Sequence, residues 1–195
     1  PALKSRIPQQ TLPALKQLIL VGGSPDSLAK NESSYELLMS EALDWVEPEW
    51  LTKDDGLVIH YTSGSTGKAK GVLHRQYAMV GHYQTAKWAL DLRDDDIYWC
   101  TADPGWVTGT SYGIYGPWTM GVSSVVIGGR FDADRWFETI QKYKVTMWYS
   151  APTAYRMLMS AGDAIPRKYI LKSLRHICSV GEPLNPEALK WIRTV

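Results

Sequence analysis

The chain has 195 residues, with 21 Lys and Arg against 20 Asp and Glu, and 45% of it is hydrophobic. That balance excludes a disordered chain, which combines low hydrophobicity with high net charge. It also excludes a nucleic-acid binder that works by basic excess, and no apolar run nears the roughly 18 residues that span a bilayer.

The opening, Pro1-Ala2-Leu3-Lys4, has no initiator Met and no basic-then-apolar signal, so a cytoplasmic protein is expected. The close, Trp191-Ile192-Arg193-Thr194-Val195, falls inside a helical pattern. The sequence reads as an internal stretch of a longer polypeptide, whose missing remainder would be its first partner. Leu18-Ile19-Leu20-Val21 predicts a strand running into a turn at Gly22-Gly23. Residues 24–50, with Pro25, Pro48 and several Ser, predict a surface excursion holding one short helix. Residues 57–61 predict a strand. A Gly/Ser-rich stretch follows, then a helix over 76–90.

Residues 97–100 predict the next strand, followed by a Gly/Pro-rich loop over 103–109. Ser124 to Ile127 reads as a strand ending at Gly128-Gly129. After Asp132, the residues Trp136, Phe137, Ile140 and Tyr143 share one helix face. Residues 145–149 predict a strand, and Pro152 opens a helix with Tyr155, Leu158 and Met159 on one face. Residues 174–180 predict the last strand. Gly181-Glu182-Pro183 follows, then a helix with Asn185 as cap and Pro186 at its first position.

Strands alternating with helices predict an α/β fold, a mostly parallel sheet with helices on both faces. In open sheets of this kind ligands lie beyond the carboxyl ends of the strands. The loops at 62–71, 101–109 and 181–183 are expected to share that edge. The 9 Trp and 11 Tyr against 2 Phe suit either a core between sheet and helices or a cleft of amphipathic rings. Cys100 and Cys178 lie in apolar runs without CxxC spacing and read as buried reduced thiols.

The densest chemistry lies in Tyr61-Thr62-Ser63-Gly64-Ser65-Thr66-Gly67-Lys68-Ala69-Lys70-Gly71. Its glycines let backbone amides approach a ligand, its hydroxyls donate, and its lysines supply positive charge, a set that suits polyphosphate oxygens. The spacing is not that of a Walker A loop. Two residues rather than four separate Gly64 from Gly67, and Ala69 stands where a magnesium-holding Ser or Thr would follow Lys68. A Gly/Ser stretch is also the composition of a linker; a position between a strand and a helix, with lysines at its far end, favours the phosphate loop. His60 and His74, which flank it, read as structural, and no residue cluster has metal-ligand spacing.

This stretch resembles the phosphate-binding signature of the adenylate-forming enzymes: acyl-CoA synthetases, luciferases and peptide-synthetase adenylation domains. Three further segments resemble the AMP-forming acetyl-CoA synthetase branch. They are Trp99-Cys100-Thr101-Ala102-Asp103-Pro104-Gly105-Trp106-Val107-Thr108-Gly109, Tyr149-Ser150-Ala151-Pro152-Thr153-Ala154-Tyr155-Arg156 and Val180-Gly181-Glu182-Pro183-Leu184-Asn185-Pro186-Glu187. The four occur in the family's order, and the likeness runs from about residue 54 to the end. It implies a partial lead-in over 1–53 and, over 54–195, a flavodoxin-like nucleotide-binding subdomain truncated at both ends.

The resemblance implies ATP and coenzyme A as substrates, acetate as the acid, and magnesium carried by the nucleotide. Thr62, Ser63, Gly64, Ser65, Thr66, Gly67 and Lys68 would grip the β- and γ-phosphates. Gly181, Glu182 and Pro183 would lie against AMP. Val107, Thr108 and Val180 would line the acyl pocket, and Trp106 and Thr108 the coenzyme A channel. The family's catalytic Lys belongs to a C-terminal domain outside this sequence, so the 195 residues alone are expected to be inactive. Thr110 stands where the family's larger form has His, and Asp132 near an Asn that faces coenzyme A. Two other readings are a ligase for propionate or a longer acid and a non-catalytic nucleotide-binding module. Read without the resemblance, Val107 and Val180 are core valines, Trp106 a loop anchor, and Asp103 a turn cap.

Overall fold

The computed structural model describes residues 14–22, 26, 28–62 and 67–195. Expectations for residues 1–4, Gly23, Pro25 and 63–66 lie outside the described residues. The chain divides into two compact units, Pro1–Trp50 and Leu51–Val195.

In the first unit, β1 (Leu18–Leu20) pairs in parallel with β2 (Glu32–Ser34). The second of these strands was not foreseen, because Glu-Ser-Ser carries no strand signature. Ser34 then caps α1 (Tyr35–Glu41), its hydroxyl accepting from the Leu37 amide at 3.3 Å.

The second unit holds two sheets. One is a hairpin: β3 (Gly56–Thr62) pairs antiparallel with β4 (Lys70–Arg75), bringing Thr62 opposite Lys70. The phosphate-loop segment therefore joins two strands, not a strand and a helix, and it does not leave the carboxyl edge of the parallel sheet. Charge and Gly71 mask the strand in Lys-Gly-Val-Leu-His-Arg, but its period-2 pairing against β3 fixes it. Helix α2 (Ala78–Trp88) follows.

The other sheet has four parallel strands in the order β6-β5-β7-β8: β6 (Ser123–Val125), β5 (Ile97–Cys100), β7 (Met147–Ser150) and β8 (His176–Ser179). Alternate residues face opposite sides. Tyr98, Met147 and Tyr149 pack with Ala86, Leu90 and Val122. Trp99 and Trp148 pack on the other side with Phe137, Ile140, Tyr155 and Leu158. Both faces are thus covered, as the alternating pattern required.

Trp99 and Trp148 are register partners whose rings stack at 5.8 Å, and Trp136 meets both edge-on. These aromatics are core, whereas Trp106 and Trp118 are exposed.

The second face is covered from α5 (Ala133–Tyr143), α6 (Pro152–Ala161) and α7 (Pro186–Ile192). Asp132 is the cap of α5, its carboxylate accepting from the Arg135 amide at 2.8 Å. Asn185 occupies the cap position of α7, but its side-chain oxygen accepts no helix N–H, and its side-chain amide donates to Glu187 at 3.2 Å.

The loop expected over 103–109 is cut short by a helical run that sequence reasoning missed. It consists of α3 (Val107–Thr110), a π turn (Ser111–Tyr115) and α4 (Gly116–Met120). Three glycines and a proline lower its intrinsic propensity; packing on α2 overrides this. The Tyr112 hydroxyl donates to Thr85 at 2.9 Å, and Gly116 lies so near Ala86 that a Cβ there would stand 3.6 Å from the alanine methyl.

At the amino edge a buried carboxylate ties three strands. Asp96, 3% exposed, accepts from Arg175 Nε at 2.9 Å, from the Thr146 hydroxyl at 2.6 Å and from the Arg93 amide at 2.8 Å. Burial alone would raise its pKa, but these bonds outweigh burial and hold it below the ordinary value. Arg175 also reaches Asp91 at 2.9 Å.

Candidate functional site

The carboxyl edge of the parallel sheet carries the concave surface. A cavity of about 610 Å³ is formed by Ala102, Asp103 and Trp106 after β5, Thr108 of α3, Ala151 and Thr153 after β7, and Val180, Gly181 and Glu182 after β8. Five of the residues singled out in the sequence, Trp106, Thr108, Val180, Gly181 and Glu182, thus meet on one cavity. Pro183 is exposed beside it and does not line it.

Val107 faces a neighbouring cavity of about 820 Å³, shared with His60, Tyr61, Thr62, His74 and Thr110. Trp106, 73% exposed, lines both cavities. The hairpin end at Thr62 and the Gly181-Glu182 turn therefore flank the same indole. Gly67 and Lys68 are exposed at the far side of the hairpin loop, and Ser63, Gly64, Ser65 and Thr66 lie outside the described residues.

The loop after β5 has a fixed shape. Asp103 accepts from the Gly105 amide at 2.6 Å through its side chain and from the Trp106 amide at 3.0 Å through its carbonyl. The Thr110 hydroxyl donates to the Pro104 carbonyl at 2.7 Å. A Cβ on Gly109 would stand 2.0 Å from the Asp103 carbonyl oxygen, so only glycine lets α3 start there. Thr110 and Asp132 thus close a loop and cap a helix.

Glu182 is held by α6. Pro152 supplies no N–H and Ala151 has no side-chain acceptor, so the first turn of α6 lacks a local cap. Glu182 Oε1 fills that place from another loop. It accepts from the Thr153 amide at 3.1 Å, from the Thr153 hydroxyl and from Arg156 at 3.0 Å. The Thr153 hydroxyl bond comes first, with Arg156 next, among the effects that hold the Glu182 carboxyl below its usual range. Sequence reasoning gave Thr153 and Arg156 no role, because residues 26 and 29 positions from Glu182 meet it only through the order β7-β8.

His60 and His74 meet edge-on, ring centroids 4.9 Å apart. His82 of α2 sits near them and touches Tyr112 and Tyr115. Cys100 and Cys178 are free and half-buried, and burial raises both pKa values. They stand on either side of Tyr149 in the sheet, too far apart to bond. Among the described residues no group of three or more His, Cys, Asp or Glu is placed to hold a metal ion, and no helix is long and apolar enough to cross a membrane.

The comparisons with known proteins agree with one another. The acetyl-coenzyme A synthetase of Bacillus subtilis (strain 168) is 54% identical over 191 residues, 98% of this chain and 33% of that protein. That of Methanothrix thermoacetophila is 52% identical over 149 residues, 74% of this chain and 23% of that protein. The crystal structure of Brucella canis acyl-CoA synthetase superposes with a TM-score of 0.80 at 32% identity, over 89% of this chain and 31% of that one. The chain spans about a third or less of the length of these relatives. A model described as AMP-binding enzyme matches residues 3–195, and the chain belongs to that family.

Proposed function

We propose that the chain carries part of the nucleotide and acyl site of an AMP-forming acetate–CoA ligase. In this reading a carboxylate oxygen attacks the α-phosphorus of ATP and expels pyrophosphate. The thiol of coenzyme A then attacks the acyl-adenylate carbonyl and expels AMP. Both steps develop charge on phosphoryl or carbonyl oxygens, so positioned donors and cations do most of the work.

The observation that carries the reading is the single cavity where Trp106, Thr108, Val180, Gly181 and Glu182 converge at the carboxyl edge of a parallel sheet. Gly181, Glu182 and Pro183 are assigned to AMP, and Thr108, Val180 and the adjoining Val107 to the acyl group. Trp106 and Thr108 are assigned to the approach of coenzyme A. The segment from Thr62 to Lys68 is assigned to the β- and γ-phosphates, with magnesium arriving on the nucleotide. Residues 54–195 are the proposed nucleotide-binding subdomain. The proposed compartment is the cytoplasm.

Acid-dependent exchange of labelled pyrophosphate into ATP tests the function in the full-length gene product. Acetate is expected to drive exchange better than propionate or longer acids. Exchange driven best by a longer acid would replace acetate as the substrate. Exchange with no acid, equal in a Lys68→Ala variant, would overturn the ligase reading. The purified 195 residues are expected to show no turnover above that variant.

A further inference from the structure

We propose that Arg156 is a positioning residue: with Thr153 it fixes the Glu182 carboxylate so that one oxygen is held by the protein and the other is left to the nucleotide. The inference rests on the proposed nucleotide site and goes beyond it, because Arg156 does not itself line the cavity.

Three donors converge on Glu182 Oε1: the Thr153 amide, the Thr153 hydroxyl and Arg156 Nη2. Arg156 Nη2 also donates to Thr153 Oγ1 at 2.8 Å, so a single nitrogen holds both the carboxylate and the Thr153 hydroxyl that bonds it. No described protein group bonds the second oxygen, Oε2. Glu182 and Thr153 both line the cavity, so that oxygen is available to accept from an amine or hydroxyl of a nucleotide bound there. An exposed ion pair alone would contribute little to stability. Here the pair is joined to the orphan N–H of a helix first turn, where a carboxylate is favoured by the aligned peptide dipoles. The arrangement gives orientation more than stability, because Gly181, at a φ of +90°, leaves the preceding turn able to swing Glu182 elsewhere without that anchor.

The test measures ATP binding by calorimetry and acetate-dependent exchange kinetics in the full-length gene product. Arg156→Ala is expected to raise Kd and KM for ATP about tenfold, the scale of one lost charge-assisted bond, with kcat changed much less. Arg156→Lys is expected to restore most of the loss, since one nitrogen makes both contacts. In a Glu182→Gln background Arg156→Ala is expected to add little further, as befits a residue acting through Glu182. Melting curves confirm that each variant is folded.

An Arg156→Ala variant that binds ATP normally overturns the proposal and leaves the ligase reading standing. Equal, additive losses in the double variant also overturn it, because they would mark a separate structural role. A wild type that binds ATP but exchanges with no acid sinks the ligase reading, and the binding arm still decides on Arg156. A wild type that binds no ATP overturns both.

Discussion

The parallel sheet and the β3–β4 hairpin meet at Trp106 but are built on opposite terms. The sheet buries both faces, with Trp148 and Tyr98 nearly inaccessible, and locks its amino edge with Asp96 and Arg175. The hairpin buries little. Val58, Ile59, His60, Tyr61 and Val72 line a cavity, yet Ile59, Tyr61 and Leu73 remain 53%, 73% and 59% exposed. Dense packing fixes geometry; a two-stranded ribbon is marginal by itself. The sheet edge thus holds a shaped pocket, and the hairpin stands largely exposed beside it.

Opening the amino edge of the sheet should cost the most. Arg175→Ala leaves Asp96 buried without its cation and should cost about 3–5 kcal/mol, read by denaturant unfolding. The sign with pH follows from the depressed Asp96 pKa. Its contribution is fully present above the unfolded value near 3.8 and is lost as pH falls through the folded value. The variant should therefore lose less stability on acidification than the parent. Equal acid sensitivity would mean that Asp96 is not held by Arg175.

Next comes the junction between the two regions. Gly109→Ala sets a methyl against the Asp103 carbonyl and should cost about 3 kcal/mol, while displacing Trp106 from both cavities. Indole fluorescence and melting should change together. Ser111→Ala, a few residues on, serves as the comparison.

Lys68→Ala should do the reverse of Arg175→Ala. An exposed side chain on the hairpin predicts unfolding free energy within about 0.5 kcal/mol of the parent, with ATP affinity reduced about tenfold. Calorimetry and unfolding on the same sample separate the two readouts. A stability loss without a binding loss would remove the hairpin from the nucleotide site.

The sheet was legible in the sequence because its signals are local. Runs such as Ile97-Tyr98-Trp99-Cys100, the helix-period stripe Trp136, Phe137, Ile140 and the helix-starting Pro152 and Pro186 each carry their own period or stop signal. The hairpin was half legible: β3 is an apolar run, but β4 is a strand because β3 lies beside it. The helical run from Val107 was illegible for the same reason, as its glycines deny helix by propensity and fit only against α2. Motif resemblance named fourteen candidate residues, of which five meet on one cavity; that Val107 turns to the second cavity is a consequence of α3. The Arg156–Thr153–Glu182 cluster needed strand order, since β7 and β8 bring together side chains distant in sequence.

The smallest expected effect tests whether the hairpin is electrically coupled to the body beneath it. His82 on α2 has a lowered pKa, first through burial and then through repulsion from His74 and His60 on the hairpin. Above pH 6.5, the ordinary value, it is neutral folded or unfolded and adds no pH dependence. As pH falls below that value the unfolded chain takes up the proton first, so stability declines until the folded value is passed. His82→Asn should flatten the stability curve on this acid side. His74→Asn should flatten it less, by removing one repelling partner while leaving burial in place. If His74→Asn leaves the curve unchanged while His82→Asn flattens it, burial alone governs His82, and the hairpin exerts no electrostatic hold on α2.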